Sequence, residues 1–181
     1  MYCSLDDVKL YLGIAAADLS EDTLITSLLE SAQSDIDNLC GRSFEASTAT
    51  RHYGPAAIEG SSLLLGADLL TVTTLTNGDG VVLGGSTYRL WPRDVLPAQR
   101  IRLMSSYLWT FADVDSEISV AGTWGYSATA PASVQQATRE YVHYLYHSPD
   151  SLKQRKQGAS RADILPDHIT QLLSSVRKRT L

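Results

Sequence analysis

His143 and His147 stand four residues apart, the spacing that puts two imidazoles on one face of a helix, where a zinc site would be built. A zinc-protease helix also needs a glutamate directly after the first histidine, and Tyr144 occupies that place. With Tyr141 and Tyr146 beside them, the two rings are expected to form a partly exposed aromatic flank rather than a metal centre. Asp113, Asp115 and Glu117 would suit a hard cation, but the glycine and the full ligand spacing of a calcium loop are missing, which favours a solvated loop. Gly78, Gly80, Gly84 and Gly85 suggest a phosphate loop until the flanks are considered: no Gly-Lys-Ser/Thr follows and no helix begins there, so hairpin turns account for them. Gly-x-Ser-x-Gly is absent, and no Ser, His and acid set stands out. Cys3 and Cys40 have no CxxC spacing and are expected to be structural thiols. No catalytic, cofactor-binding or metal-ligating residue is therefore assigned, and no cofactor is expected.

At 181 residues and 19.7 kDa, with 44% hydrophobic residues, the chain is long enough for one helical core carrying a β insertion. No apolar run approaches the roughly 20 residues needed to span a bilayer, so no membrane partner is expected. The acidic opening Ser4-Leu5-Asp6-Asp7 lacks the basic-then-apolar order of a signal peptide, which predicts synthesis in the cytoplasm. The net charge of -5 hides an asymmetry. Residues 1–90 hold 12 Asp and Glu against 4 Lys and Arg, whereas residues 91–181 hold 8 against 11. Opposite poles suit a subunit that stacks head to tail or sits between unlike partners, though two ordinary solvated faces would look the same.

The elements follow from periodicity and caps. Ser4 with acids behind it predicts a helix from Leu5 to Leu12, ended by Gly13. Ser20-Glu21-Asp22-Thr23 opens a second helix whose Leu24, Leu28, Ile36 and Leu39 recur near helical spacing, with Ile25, Leu29, Ala32 and Cys40 widening the stripe and Gly41 closing it. Short runs rich in Val, Leu, Thr and Tyr then predict strands at 62–65, 69–76, 81–83, 87–91, 99–104 and 117–120. Asn77-Gly78-Asp79-Gly80 reads as a tight turn, and Pro92 and Pro97 confine their segments to edges or loops. Gly122 and Gly125 bracket Trp124, where a turn is expected. Helical period returns after Pro131 with Val134, Ala137, Tyr141, Tyr144 and Leu145, expected to pack on the second helix. Ser148-Pro149-Asp150 stops it, and 153–158 reads as a polar linker. A last short amphipathic helix starts at Pro166 and carries Ile169, Leu172, Leu173 and Val176 before the basic Arg177-Lys178-Arg179. The expected class is α+β, a small bundle of about four helices with a β-rich insertion between the second and third. Four segments follow: 1–47 (N-terminal helices), 48–121 (insertion), 122–150 (the Gly-Tyr corner and third helix) and 151–181 (linker and C-terminal helix).

The long acidic helix ending Leu39-Cys40-Gly41-Arg42-Ser43-Phe44, the Tyr88-Arg89-Leu90 run, Gly122 to Tyr126, the Pro131-x-x-Val134-x-x-Ala137 helix, and Leu165-Pro166 with Leu172-Leu173 occur in that order over nearly the whole chain. Their order and spacing resemble the head-tail connector, or adaptor, proteins of tailed bacteriophages. That resemblance implies a structural virion protein rather than an enzyme. It implies a dodecameric ring of identical subunits beneath the portal, extending the DNA channel and offering a platform to a tail-side stopper or tail-completion protein. DNA would pass through without sequence-specific binding. The acidic N-terminal part would lie near the channel, and the basic C-terminal helix would dock on the portal through Ile169, Leu172, Leu173, Val176, Arg177, Lys178 and Arg179. The competing expectation for that helix is that it caps its own core. Trp124 and Tyr126 are expected to fix the β part against the helical core or a neighbouring subunit.

Two other function classes fit parts of the chain. A carbohydrate-binding or small enzymatic β module on a helical scaffold would use Trp91, Trp109 and Trp124 for stacking, although tryptophans in such an insertion are more often core or subunit contacts. A DNA-binding packaging accessory would use Lys153, Arg155, Lys156, Arg161 and the basic C-terminal end, against which stands a pI near 5.3.

Overall fold

The computed structural model describes residues 1–148 and 165–178. They fall into two units, a helical one (Met1–Phe44 with the chain from Thr129 onward) and a sheet unit (Glu45–Ala128) inserted between its second and third helices. The architecture is α+β, as the periodicity predicts. The expected linker at 153–158 lies outside the described residues, as do Pro149 and Asp150 of the expected stop after the third helix.

In the helical unit, α1 spans Leu5–Leu12. Ser4 caps it: its hydroxyl accepts the Asp7 amide at 3.1 Å while the Asp7 carboxylate accepts the Ser4 amide at 3.2 Å. The Ser4 hydroxyl also donates to that carboxylate, which holds the Asp7 carboxyl below its usual range. Gly13 ends the helix at φ 76°, in the left-handed region. The second helix, α2, spans Asp22–Cys40 and buries Ile25, Leu28, Leu29, Ala32, Ile36 and Cys40. Leu24, expected on that stripe, is 49% exposed, so the buried face is centred on Ile25 and Leu29 instead. The third, α3 (Ala132–His147), packs on α2 as expected and buries Val134, Ala137, Tyr141, Val142 and Leu145. The fourth described helix, α4 (Asp167–Leu173), packs on α3, with Pro166 at its N-cap rather than in its first turn.

Two polar side chains tie this unit together, and neither is marked by periodicity. Lys9 is 1% exposed; its Nζ donates to the carbonyls of Ala16 (3.1 Å) and Asp18 (2.5 Å) and to Asp22 Oδ1 (2.7 Å). One ammonium thus uses its three donors to join α1, the connecting loop and the first turn of α2. Asp22 is engaged by this lysine, and α2 begins at Glu21 without a side-chain cap bond. Tyr2 performs a similar tie at the other end of α2. Its phenol accepts the Phe44 amide at 2.9 Å and donates to Asp37, and burial together with that carboxylate pushes its pKa up.

The sheet unit is one antiparallel sheet of seven strands: β1 Ser47–Tyr53, β2 Ile58–Glu59, β3 Ser62–Thr76, β4 Val82–Leu83, β5 Tyr88–Trp91, β6 Ala98–Leu103 and β7 Ile118–Trp124. The main order is β1-β7-β3-β6-β5, with β2 and β4 paired to parts of β3. Leu63, Leu69, Leu75, Ile101, Ile118, Val120 and Trp124 form its core. The two strands expected at 62–65 and 69–76 are one long strand, β3, broken by a register shift between Leu64 and Leu69 near the left-handed Gly66. The strand expected to end at Val120 continues to Trp124, so Gly122 lies within β7 and the turn begins only at Gly125. Gly122 belongs there because of space: a Cβ would fall 2.1 Å from the Thr71 carbonyl oxygen and 3.3 Å from Leu69 Cδ1.

Removing either member of a part-buried ion pair strands the other. Lys9→Ala and Asp22→Ala are each expected to lower unfolding stability by about 2–4 kcal/mol in urea titrations. The double variant should lose less than the sum of the two, because both act through one contact. Gly122→Ala should cost about 3 kcal/mol, the scale of severe overpacking, and should do so without altering the helical content measured by circular dichroism.

Candidate assembly site

The residues with catalytic or metal-binding potential are engaged structurally. The rings of His143 and His147 lie 4.3 Å apart between centroids, but His147 Nδ1 sits 3.0 Å from the His143 carbonyl oxygen, and Tyr11 and Tyr146 meet the rings edge-on. The aromatic flank expected from the sequence is what forms. The Asp113 carboxylate closes its own turn, accepting the Asp115 amide (3.0 Å) and the Ser116 hydroxyl (2.8 Å), which lowers its pKa. Glu117 lies 3.6 Å from His52 across the β1–β7 pair. Among the described residues no group of three or more His, Cys, Asp or Glu is placed to hold a metal.

The Asn77–Gly80 turn does more than reverse the chain. Asn77 Nδ2 donates to the Leu108 carbonyl (3.1 Å) and to Thr110 Oγ1 (2.7 Å), and its Oδ1 accepts the Thr110 amide (3.2 Å). Gly80 has the positive φ expected of such a turn, at 83°. Gly78 serves a different need, since a Cβ there would meet Phe111 Cδ1 at 2.5 Å and the Thr110 carbonyl oxygen at 2.7 Å. The turn and the 108–111 loop are locked together.

The tryptophans do not form a common stacking platform. Trp124 is 2% exposed in the sheet core, donates its indole N–H to the Ala49 carbonyl (2.9 Å) and lies under the Arg51 guanidinium at 4.6 Å. Trp109 is half-buried and donates to the Ser61 carbonyl (3.1 Å), while Trp91 is 48% exposed on β5. Tyr126 is half-buried just beyond Gly125.

The C-terminal segment divides between core and surface. Ile169 and Leu173 are fully buried and Val176 is 8% exposed, all within the helical unit; Leu172 is half-buried. The Lys178 amide donates to the Cys40 carbonyl (2.9 Å), tying the segment to the end of α2. Core capping thus takes up most of the apolar face assigned to docking. Outside that core the described part shows the exposed Arg177 and the edge of Leu172. Arg179 and the basic residues Lys153, Arg155, Lys156 and Arg161 lie outside the described residues.

Residues 2–66 match the family model of phage gp6-like head-tail connector proteins. The matched part takes in α1, α2 and the first strands of the sheet. Solved structures extend the similarity to the whole fold. A chain from the neck of an empty GTA particle, computed with C6 symmetry, superposes at TM-score 0.73 with 21% identity, covering 99% of this chain and 91% of that one. A chain from the virion of a native gene transfer agent (GTA) particle gives 0.69 at 21% identity, with 99% and 91% covered. One from the neck of the native GTA particle, computed with C12 symmetry, gives 0.67 at 18% identity, with 98% and 89% covered. No curated protein matches the chain.

Burial holds the thiols in the protonated form. Cys40, 1% exposed, has its pKa pushed up to about 11, and that of Cys3, 5% exposed, is raised by the same cause. Neither thiol should react with an aromatic disulfide reagent at pH 8 in the native protein, and both should react within minutes in denaturing urea. A fast-reacting native thiol would contradict the packing around α2.

Proposed function

We propose that the chain is a subunit of a virion neck, a head-tail connector that forms a dodecameric ring beneath the portal, extends the DNA channel and presents a platform to a stopper or tail-completion protein. The observation that carries this reading is the likeness of 99% of the chain to a GTA neck chain at TM-score 0.73, together with the connector match over residues 2–66. The C6 and C12 symmetries used for those necks support a ring of identical subunits. DNA passes through such a ring without base-specific contact. Twelvefold repetition then turns a weak contact per subunit into firm attachment.

In this reading the C-terminal segment docks on the portal through charge more than through burial. Arg177, Lys178 and Arg179 steer the subunit, while Ile169, Leu173 and Val176 keep the segment on its own core. Trp124 and Tyr126 act in subunit packing by fixing the edge of the sheet unit.

Negative-stain images of the protein, alone and mixed with its portal, test the reading: rings coaxial with the portal are expected, and their absence in the mixture counts against it. Deleting residues 159–181 would also strip Leu165, Ile169, Leu173 and Val176 from the core, so charge reversal is the cleaner probe of docking. R177E should keep the wild-type melting temperature within about 2 °C, as expected of an exposed surface substitution, and lose about tenfold in portal affinity. Undiminished portal binding by this variant would remove the C-terminal segment from the interface.

A further inference from the structure

Strand β5 closes the order β1-β7-β3-β6-β5 and pairs with β6 alone, so its other side is a free sheet edge. The Met104 amide donates to the Thr87 carbonyl (2.8 Å), and counting the antiparallel alternation from that bond puts the backbone N–H and C=O of Tyr88 and Leu90 on the free side. Arg89 Nη1 covers the Tyr88 carbonyl at 2.9 Å, leaving the Leu90 groups as the open ones among the described residues. Arg89 and Trp91 project to one face with their cross-strand partners Arg102 and Arg100, while Tyr88 and Leu90 project to the other. On the arginine side a groove of about 440 Å³ is lined by Arg89, Arg93, Arg102, Trp91, Tyr107 and Leu108, with no acidic side chain among its walls. A second hollow, also about 440 Å³, runs along β5 beside Leu90, Val95 and Leu96. Arg93 has Asp94 at 3.7 Å and Arg100 has Glu59 at 3.6 Å, but among the described residues no carboxylate reaches Arg89 or Arg102. Charges on an edge strand ordinarily guard it against pairing. Here they stand beside exposed Trp91, Tyr107 and Leu108, a mixture typical of interface centres.

We infer that β5 accepts an extended acidic segment of another protein as an added strand, with carboxylates over Arg89 and Arg102 and the alternate, apolar side chains in the hollow beside Leu90, Val95 and Leu96. Edge addition takes its affinity from main-chain bonds and its specificity from pockets for alternate side chains, and this edge has both. Guanidinium groups bind carboxylate bidentately, and two arginines directly opposite each other are relieved by one. The sheet unit as a whole is acidic, with eight Asp and Glu against five Arg, so the positive charge is local to the groove. Asp94 stands beside Arg93, and Asp79 is held on Thr110, two residues beyond Leu108. A duplex, broader than the groove, would meet those carboxylates as well; a single chain lying along β5 need not. The chain's own loops do not supply the segment. The Asp18 and Asp113 carboxylates close their own turns, on Ser20 and on Asp115 and Ser116, and residues 149–164 hold four Lys and Arg against two Asp. The inference names the chemistry of a partner and does not depend on the ring.

Fluorescence anisotropy with a labelled, end-blocked octapeptide of alternating Glu and Val tests the contact. The wild type should bind it, and R89E/R102E should bind at least tenfold more weakly while melting like the wild type. On the wild type itself, a Lys-Val peptide and a Glu-Val peptide N-methylated throughout should each lose at least tenfold, the first through charge and the second through the strand bonds. A wild type that does not bind the Glu-Val peptide, equal binding by R89E/R102E, or equal binding of the N-methylated peptide overturns the inference, while rings on the portal stand or fall by imaging. If R89E/R102E instead weakens the binding of an oligo-dT strand or a duplex, or self-association in sedimentation velocity, with peptide binding unchanged, the groove belongs to nucleic acid or to a second copy and the inference fails.

Discussion

The sheet unit depends on one close approach, the passage of β7 against β3 at Gly122. Strand β7 lies between β1 and β3 and hydrogen-bonds to both, so any displacement of it is felt on two sides. Ile118, Val120 and Trp124 fill one face of this strand, and at the matching position between the last two the space is taken by Leu69 and the Thr71 backbone. β3 shifts register between Leu69 and Thr71 and again between Val72 and Thr74, directly opposite this point. A side chain at 122 would push the strands apart where β3 is already bent. With glycine there, Trp124 reaches the core, its indole N–H finds the Ala49 carbonyl on β1, and Arg51 covers the ring. Gly125 repeats the constraint one step on, at φ 141° with the Glu45 carbonyl oxygen 2.6 Å from where its Cβ would stand. The Gly-Thr-Trp-Gly run is thus the closure of the sheet.

The helical unit solves a different problem by different means. Its helices bury an apolar stripe of ordinary width, and a bundle this small gains little margin from area alone. Buried polar ties supply definition. Lys9 fixes the path of the loop between α1 and α2, Tyr2 fixes the exit of α2 toward Phe44, and the Tyr141 phenol donates to Asp35 at 3.0 Å between α3 and α2. Each tie joins elements distant in sequence and is satisfied only in one arrangement, which favours a single packing over near alternatives.

Periodicity reports burial, so the elements with one buried face were legible in the sequence: α1 with its cap, α2 and its closing Gly41, α3 with Val134, Ala137 and Tyr141, and the strands around Leu63, Ile101 and Val120. Failures came where burial and local type part company. β1 escaped notice because Ser47–Tyr53 is an edge strand with no buried residue and little apolar alternation. β3 was divided because Gly66 resembles a turn, whereas the chain absorbs it as an irregularity within one strand. Leu24 and Lys9 were missed for opposite reasons, an apolar residue left outside and a charged one taken in. The docking assignment for Ile169, Leu173 and Val176 ran into the same limit, since an amphipathic terminal helix reads alike whether its apolar face meets its own core or another protein.

Under the proposed role in assembly, those departures are also where function would be most informative. A catalytic site gathers perturbed titrating groups in a cleft, and such clusters are recognisable from chemistry. An assembly surface has to remain soluble while unpaired, so under the proposed role it would be written as small departures of the kind seen at Arg89 opposite Arg102, Trp91 on an edge strand, and Leu10 and Leu19 facing water. None of these improves the isolated fold, and the like-charge pair opposes it.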